Sequence, residues 1–146
     1  MALPEFNSRG DLPDGLHDAG LAELAARFGH ENEARQRLMD LLKHIHRLVA
    51  ATGKLDRLVI FGSFVTAKKE PRDLDIVLVM KEDFSLTACA EETRIFFDHQ
   101  RAEDEVGASI FWTCPGVLIR ESLDDFLLGW GTKRDLSRRG IVEVIS

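Results

Sequence analysis

The stretch that decides the fold reads FGSFVTAKKEPRDLDIVLV over residues 61–79. It contains the end of one apolar run, RLVIF at residues 57–61, and most of a second, LDIVLVM at residues 74–80. Short runs that are rich in β-branched residues and bounded by glycine or polar residues are typical of buried strands. The stretch therefore predicts two strands joined by a polar loop.

The second predicted strand opens on Asp-x-Asp, with Asp73 and Asp75 on either side of one apolar residue. Successive strand side chains alternate between faces, so both carboxylates are predicted to project close together from one face. A divalent cation relieves the repulsion between two such carboxylates, and oxygen-only ligation is what Mg²⁺ and Mn²⁺ prefer. The pattern predicts a Mg²⁺ or Mn²⁺ site at Asp73 and Asp75. The alternative is that one aspartate caps the turn after Pro71 and the other pairs with Arg72 or a lysine.

The turn that ends the first strand, Gly62-Ser63, is suited to binding phosphate. Gly62 permits close approach of the backbone, and Ser63 offers a hydroxyl and an amide N–H, so the turn is predicted to hold nucleotide phosphates whose oxygens also bind the metal. Lys68, Lys69 and Arg72 lie in the same loop and would neutralise further phosphate charge. The alternative for the two lysines is a solvated loop tip.

Periodicity predicts the other elements on either side of this stretch. Helices are predicted over residues 19–28, 31–52, 85–100 and 122–128, and strands over residues 107–113 and 141–145. Asp18 is expected to cap the first helix and Gly29 to end it. This order of elements predicts an α/β (α+β) fold, a small mixed β-sheet with helices packed mainly on one face.

Length and composition indicate a single small domain. The chain has 146 residues, of which 45% are hydrophobic, so it is long enough to bury a real core. Residues 1–17 contain two prolines and two glycines among polar residues, which predicts an irregular N-terminal arm before one domain over residues 18–146. Cys89 and Cys114 have no metal-ligand spacing, and they indicate neither a zinc site nor a disulfide framework.

Charge and hydropathy argue against several classes of partner. The net charge of -6 argues against broad binding of nucleic acid or anionic membranes. No apolar run approaches membrane-spanning length, and the first residues lack a basic segment followed by an apolar one. These features predict a cytoplasmic protein without membrane contact. The densest basic cluster, residues 132–139, is expected to form a flexible solvated hairpin rather than an RNA-contacting patch, because it has no interleaved aromatics. Trp112 and Trp130 are expected to be core or interface aromatics rather than base-stacking platforms.

Taken together, Gly62-Ser63, a nine-residue gap, Asp73-x-Asp75 and the following Ile-Val-Leu-Val resemble the signature of the polymerase-β-like nucleotidyltransferase superfamily. The resemblance covers residues 58–111. It implies a minimal nucleotidyltransferase core in which Asp73 and Asp75 bind metal and act in catalysis, while Gly62 and Ser63 bind the triphosphate. A nucleoside triphosphate is the substrate that this resemblance implies.

A second resemblance extends over nearly the whole chain. Residues 6–17, 62–68 and 133–142 are similar to an uncharacterised bacterial nucleotidyltransferase-like family. Because no substrate is established for that family, this resemblance implies the fold rather than an activity.

One part of the superfamily's site differs in this chain. Active members carry a third carboxylate on a later strand, where it completes a two-metal site. The strand predicted over residues 107–113 contains no acid, and Ser109 occupies the position where the acid is expected. Asp104 or Glu105 would replace it only if the chain curls back.

Two functions follow from these residues. The first is metal-dependent transfer of a nucleoside monophosphate from a nucleoside triphosphate to an unknown hydroxyl acceptor on a protein, an RNA or a small molecule. The alternative is a catalytically weakened nucleotide-binding or toxin–antitoxin partner protein that keeps the fold for recognition. A plain protein-interaction domain is a third interpretation, with weak support from the acidic composition and the arm.

Overall fold

A five-stranded mixed sheet forms the centre of the computed structural model, which describes residues 3–114 and 120–145. Its strands are β1 (Leu16–Gly20), β2 (Leu55–Phe61), β3 (Leu74–Met80), β4 (Ala108–Thr113) and β5 (Ile141–Ile145). Their order across the sheet is β1-β5-β2-β3-β4. The pairs β1–β5 and β3–β4 are parallel, whereas β2 runs antiparallel to both of its neighbours, β3 and β5. The α/β (α+β) class predicted from the sequence is confirmed.

Two helices cover one face of the sheet. They are α1 (Leu21–Phe28) and α2 (Glu33–Ala50), which correspond to the helices predicted over residues 19–28 and 31–52. Leu38, Leu42 and Ile45 of α2 are fully buried and pack with alternate side chains of β2, β3 and β4 in one large core. The threefold and fourfold spacing of the apolar residues in α2 thus matches the face that it buries.

The prediction of one helix over residues 85–100 is wrong, because this segment consists of separate single turns. These are the 3-10 turns Leu86–Ala88 and Ile95–Phe97, the α-helical turns α3 (Glu91–Arg94) and α4 (His99–Arg101), and the π-helical turn Ala102–Val106. Asp98 causes one break, since its backbone is extended and its carboxylate accepts a hydrogen bond from the amide of Arg101 at 3.2 Å. Aspartate favours such a cap over a helix interior.

The opposite face of the sheet is covered by α5 (Arg120–Gly129), where the sequence predicts a helix over residues 122–128. Leu123 and Leu127 of α5 are buried in a second, smaller core, to which the sheet contributes Val59, Val77, Val79 and Ile141. Helices therefore pack mainly, but not solely, on one face. Within residues 3–114 and 120–145, every helix is too short or too polar to cross a lipid bilayer.

Residues 16–20 form β1 where the sequence predicts the end of an arm followed by a helix cap. Pairing runs from Leu16 opposite Ile141 to Gly20 opposite Ile145, so that Asp18 lies inside the strand and α1 begins after Gly20. The cap predicted at Asp18 is therefore wrong. The backbone hydrogen bonds to a strand at the other end of the chain outweigh the local capping preference.

The preceding segment, residues 3–15, has no helix or strand and is nevertheless fixed to the fold. Leu12 is 0% exposed and belongs to the large core. The amides of Gly140 and Ile141 donate hydrogen bonds to the carbonyls of Leu12 at 2.9 Å and Gly15 at 3.0 Å. These contacts hold the arm against the start of β5.

Leu12→Ala is expected to lower the free energy of unfolding by about 2–5 kcal/mol, because it removes a fully buried side chain and leaves a cavity. Leu136→Ala is the matched control, since Leu136 is 80% exposed, and we expect a change below about 0.5 kcal/mol. Urea unfolding followed by circular dichroism measures both variants. Equal stability of the two would show that the arm is not part of the core.

Candidate functional site

The centre of the candidate site is the contact between Gly62 and Asp75. The register of β2 and β3 places Phe61 opposite Asp75, so the chain reaches Gly62 beside the carboxylate. Gly62 has a φ of 77°, and a Cβ at this position would collide with Oδ2 of Asp75 and lie 2.9 Å from its Cγ. Glycine is therefore required twice, for the left-handed backbone and for the space that the carboxylate fills.

The Asp75 carboxylate is largely buried and makes no hydrogen bond or ion pair with any of the described residues. Burial raises the pKa of Asp75 to about 6, and the negative charges of Asp73 and, more weakly, Glu103 act in the same direction. The positive charge of Arg139 opposes them. Asp73 stands immediately before β3 and is exposed. Asp73 is thus close enough to disfavour the ionised form of Asp75, as a second carboxylate near a site does.

Ser109 is the residue of β4 that pairs with Asp75. The parallel register aligns Asp75 with Ser109 and Val77 with Phe111. Directly paired residues on neighbouring strands present their side chains on the same face of the sheet. A hydroxyl therefore stands beside Asp75 where a carboxylate on β4 would stand.

The acids that precede β4 lie in the exposed π-helical turn. The Asp104 carboxylate accepts hydrogen bonds from the side chain of Gln100 at 3.0 and 3.1 Å, and the Glu105 carboxylate accepts one from Arg101 at 3.0 Å. Both candidates for a replacement acid are thus engaged within their own turn. Across the described residues, no three His, Cys, Asp and Glu side chains are grouped so that they could hold a metal ion.

Two cavities meet at the Gly62-Ser63 turn. The cavity that contains Gly62 and Asp75, called here the Asp75 cavity, has a volume of about 610 Å³. The cavity that contains Ser63 and Lys68, called here the Ser63 cavity, has a volume of about 740 Å³. Three cations line both of them, namely Lys133, Arg134 and Arg139. The turn that sequence analysis selected therefore adjoins a cluster of positive charge.

The shared cations come from the basic hairpin, residues 132–139. It closes through an isolated bridge between Thr132 and Arg138 and a hydrogen bond from the Lys133 amide to the Ser137 carbonyl at 2.8 Å. Most of the hairpin is exposed, as expected of a solvated hairpin, and its partly buried cations Lys133 and Arg139 also line two cavities at the Gly62-Ser63 turn. The signal available in the sequence was the basic density just before β5, which says nothing about where the hairpin packs.

Asp11 holds two of these cations in place. It is buried, with 4% of its surface exposed, and it forms an ion pair with Lys133. Arg139 lies 3.9 Å from its other carboxylate oxygen. The N-terminal arm thereby fixes Lys133 and Arg139 at the wall that the two cavities share, and a buried charge needs this kind of pairing.

The loop that follows Gly62 is held from behind by Arg35 of α2. The guanidinium of Arg35 is buried and donates hydrogen bonds to the carbonyls of Phe64 at 2.8 Å, Thr66 at 2.7 Å and Lys68 at 2.5 Å. A further bond goes to the carbonyl of Phe28 at 3.1 Å, and the charge lies 5.6 Å from the ring centre of Phe64. One side chain therefore sets the path of the whole loop.

The structure brings together four of the six predicted site residues. Gly62 and Asp75 line one cavity and Ser63 and Lys68 the other, whereas Asp73 and Arg72 are exposed and line neither.

Trp130 had been expected to be a core or interface aromatic. It packs partly on the second core, and it also lines the Asp75 cavity. Trp112, by contrast, packs against Phe84 and Phe97 of the large core.

Among known proteins, the chain matches one family, and the function of that family is unknown. The model of the "Family of unknown function (DUF6932)" matches residues 4–145 of the chain. No curated protein and no solved structure matches the chain.

The raised pKa of Asp75 makes the stability of the protein depend on pH. The folded state keeps the Asp75 proton up to about pH 6, while the ordinary value is 3.8, so the free energy of unfolding falls as pH rises between the two. Asp75→Asn removes the charge and is expected to raise the free energy of unfolding at pH 7.5 by about 1–3 kcal/mol, with little effect near pH 4.

Asp40→Asn is the control for this experiment, since Asp40 is exposed on α2. Denaturant unfolding at both pH values compares the two variants with the wild type. If Asp75→Asn follows the wild type at every pH, Asp75 does not have a raised pKa.

Proposed function

The chain belongs to the DUF6932 family of unknown function, and on the evidence of its own site we propose that it is a metal-dependent nucleotidyltransferase. It would transfer a nucleoside monophosphate from a nucleoside triphosphate to a hydroxyl group of an acceptor. We also propose that the core of this chain belongs to the polymerase-β-like superfamily. The Gly62-Ser63 and Asp73-x-Asp75 motifs resemble the signature of that superfamily.

One observation carries the proposal: an unpaired carboxylate and a cluster of cations face the same cavity without neutralising each other. Asp75 sits on Gly62 with no partner among the described residues, while Lys133, Arg134 and Arg139 line the same cavity. A ligand with both signs of charge fits such a site. A divalent cation bound to a polyphosphate has this property, because the metal meets the carboxylates and the phosphate oxygens meet the cations.

The residues present fit a Mg²⁺ or Mn²⁺ ion. Asp73 and Asp75 would hold it through oxygen atoms, which are the ligands that both ions prefer. The pKa of Asp75 is raised chiefly by burial and then by the negative charge of Asp73, and a cation bound between the two carboxylates would favour the ionised form of Asp75. Such an ion would neutralise phosphate oxygens and orient the triphosphate for displacement.

The protein's own groups have the remaining roles. The backbone and hydroxyl at Gly62-Ser63 would contact the phosphates, and Lys68 would neutralise their charge from the Ser63 cavity. Lys133, Arg134 and Arg139 would do the same from the wall that both cavities share. Arg72 remains a predicted phosphate contact, although it is exposed and lines neither cavity.

A second candidate function is favoured by Ser109. The β4 position beside Asp75 carries a hydroxyl, and Asp104 and Glu105 are engaged within their own turn. Without a third acid, a second metal ion would lack one charged ligand, and it would then activate the acceptor hydroxyl less well. The alternative is therefore a protein that binds nucleotide but transfers it slowly, as a weakened enzyme or a toxin–antitoxin partner protein would.

Location and partners belong to the proposal as well. Both cysteines are free thiols, as is common in the reducing cytoplasm, where nucleoside triphosphates and Mg²⁺ are abundant. We therefore place the proposed activity in the cytoplasm. The acceptor, or a protein partner that presents it, is the unknown component of the reaction.

Calorimetric titration tests the binding part of the proposal. The wild type is expected to bind Mn²⁺, and Asp75→Asn is expected to weaken this binding at least about tenfold, whereas Asp40→Asn leaves it unchanged. A nonhydrolysable nucleoside triphosphate should bind only with the metal present. Arg134→Ala should weaken nucleotide binding about tenfold and leave Mn²⁺ binding intact, because Arg134 lines both cavities and is exposed. Mn²⁺ binding that Asp75→Asn does not alter would contradict the proposal.

Transfer of radiolabelled nucleotide separates the enzyme from the weakened binding protein. If Ser109 limits catalysis, Ser109→Asp is expected to raise self-labelling or labelling of an acceptor above the wild-type rate, because it restores a carboxylate beside Asp75. Ser109→Asn is the control of matched size without the charge. Fast transfer by the wild type that Ser109→Asp does not increase would show that two carboxylates are sufficient.

A further inference from the structure

The Asp75 cavity has an aromatic wall as well as a basic one. Phe61 and Trp130 line it next to the shared cations. The Ser63 cavity has the same cations, but none of the described residues that line it is aromatic. Two adjoining cavities thus offer different chemistry, one with flat apolar rings and the other with polar and charged groups.

The aromatic wall is a packed platform. The rings of Phe61 and Trp130 lie 4.9 Å apart between centres, and Trp130 lies 4.6 Å from Phe111, which in turn lies 4.5 Å from His99. Phe61 and Trp130 are partly buried, because they also pack on the second core. Neighbours on the sheet therefore hold the two rings while part of their surface faces the cavity.

A backbone contact ties this wall to the basic hairpin. The amide of Arg139 donates a hydrogen bond to the carbonyl of Gly131 at 2.9 Å. Gly131 follows Trp130 directly, and a Cβ on it would collide with the carbonyl of Arg139. Glycine thus lets the two segments touch, which holds the backbone beside Trp130 against the backbone of Arg139.

We infer that the Asp75 cavity is a nucleobase subsite, in which the base of a nucleotide packs against Trp130 and Phe61. Its phosphates would extend along Lys133, Arg134 and Arg139 toward the Ser63 cavity. This inference rests on the proposed function, since the phosphates and their metal position the base. Every base has a flat π-face, so aromatic side chains bind bases with little preference for sequence.

The size and chemistry of the cavity agree with this ligand class. Its volume of about 610 Å³ lies within the usual range of about 300–1,000 Å³ for small-molecule sites. An inorganic polyphosphate or a sugar phosphate would use the cations and leave the aromatic wall without contacts. A ligand that uses both walls carries a flat ring and several negative charges, as a nucleotide does.

Fluorescence of Trp130 gives a direct readout, because the chain has only two tryptophans. Trp112→Phe leaves Trp130 as the single indole. Trp112 is a suitable site for this change, since it is 37% exposed and does not line the Asp75 cavity, and phenylalanine keeps a ring against Phe84 and Phe97. The change removes one hydrogen bond, from the indole N–H to the Phe97 carbonyl at 3.0 Å. This variant is titrated with inorganic tripolyphosphate and with nonhydrolysable analogues of the four common ribonucleoside triphosphates, all with Mg²⁺. At least one nucleotide is expected to quench Trp130, and tripolyphosphate is not.

Calorimetry with the same ligands measures the contribution of the base. In the wild-type background, Trp130→Ala is expected to weaken binding of the quenching nucleotide about tenfold and to change binding of tripolyphosphate less than twofold. Trp130→Phe keeps an aromatic ring and is expected to recover most of the affinity. If Trp130→Ala does not fold, Trp130→Leu is the test variant, because it keeps an apolar side chain without a ring and is expected to weaken nucleotide binding in the same way.

Two results would overturn the inference, and they are distinguishable. If tripolyphosphate and every nucleotide bind equally well and Trp130 is not quenched, the base does not use the aromatic wall, while the proposed function stands. If neither tripolyphosphate nor any nucleotide binds in the presence of Mg²⁺ or Mn²⁺, both the inference and the proposed function fail.

Discussion

The position of the buried Arg35 guanidinium is the constraint on which the candidate site depends. Its charge is met chiefly by backbone carbonyls, three of them in the loop after Gly62, whereas Glu31 lies at 4.0 Å and is mostly exposed. A guanidinium has five N–H donors in a fixed plane, so it can serve several carbonyls at once. Asn32 adds to this anchoring, since it caps α2 and also donates to the Lys69 carbonyl at 2.7 Å. The first turn of α2 therefore shapes the loop that lies between the two motifs.

Asp11 explains how opposite charges stay separate in the site. Lys133 and Arg139 lie near Asp75, and direct pairing with it would neutralise the site internally. The buried carboxylate of Asp11 forms the ion pair with Lys133 and lies 3.9 Å from Arg139. Among the described residues, Asp75 thus remains unpaired on Gly62 with its pKa raised to about 6, at a cost in stability. The arm contributes to the site through this carboxylate as well as through its packing.

The parts of the molecule that local rules determine can be predicted from the sequence. The bounds of β3 were predicted correctly, because an apolar run bounded by polar residues leaves little choice, and the Gly62 turn beside Asp75 followed from motif and strand alternation. Residues 16–20 were missed as a strand because their partner, β5, is at the far end of the chain. The basic hairpin, residues 132–139, was missed as part of the site for the same reason. Its cations reach the Gly62-Ser63 turn only through tertiary packing, which no local pattern encodes.

The distribution of charge adds a limit on the size of the ligand. The chain is acidic overall, with a net charge of -6, yet five cations line the Ser63 cavity: Arg9, Lys68, Lys133, Arg134 and Arg139. At physiological ionic strength, charges farther apart than about 8 Å are largely screened in solvent. A small polyanion inside the cavity therefore interacts mainly with these cations. A long nucleic acid would extend beyond them over a molecule whose net charge of -6 opposes its binding. The cations that would hold the proposed nucleotide therefore do not imply binding of polynucleotides, because local and net charge act over different distances.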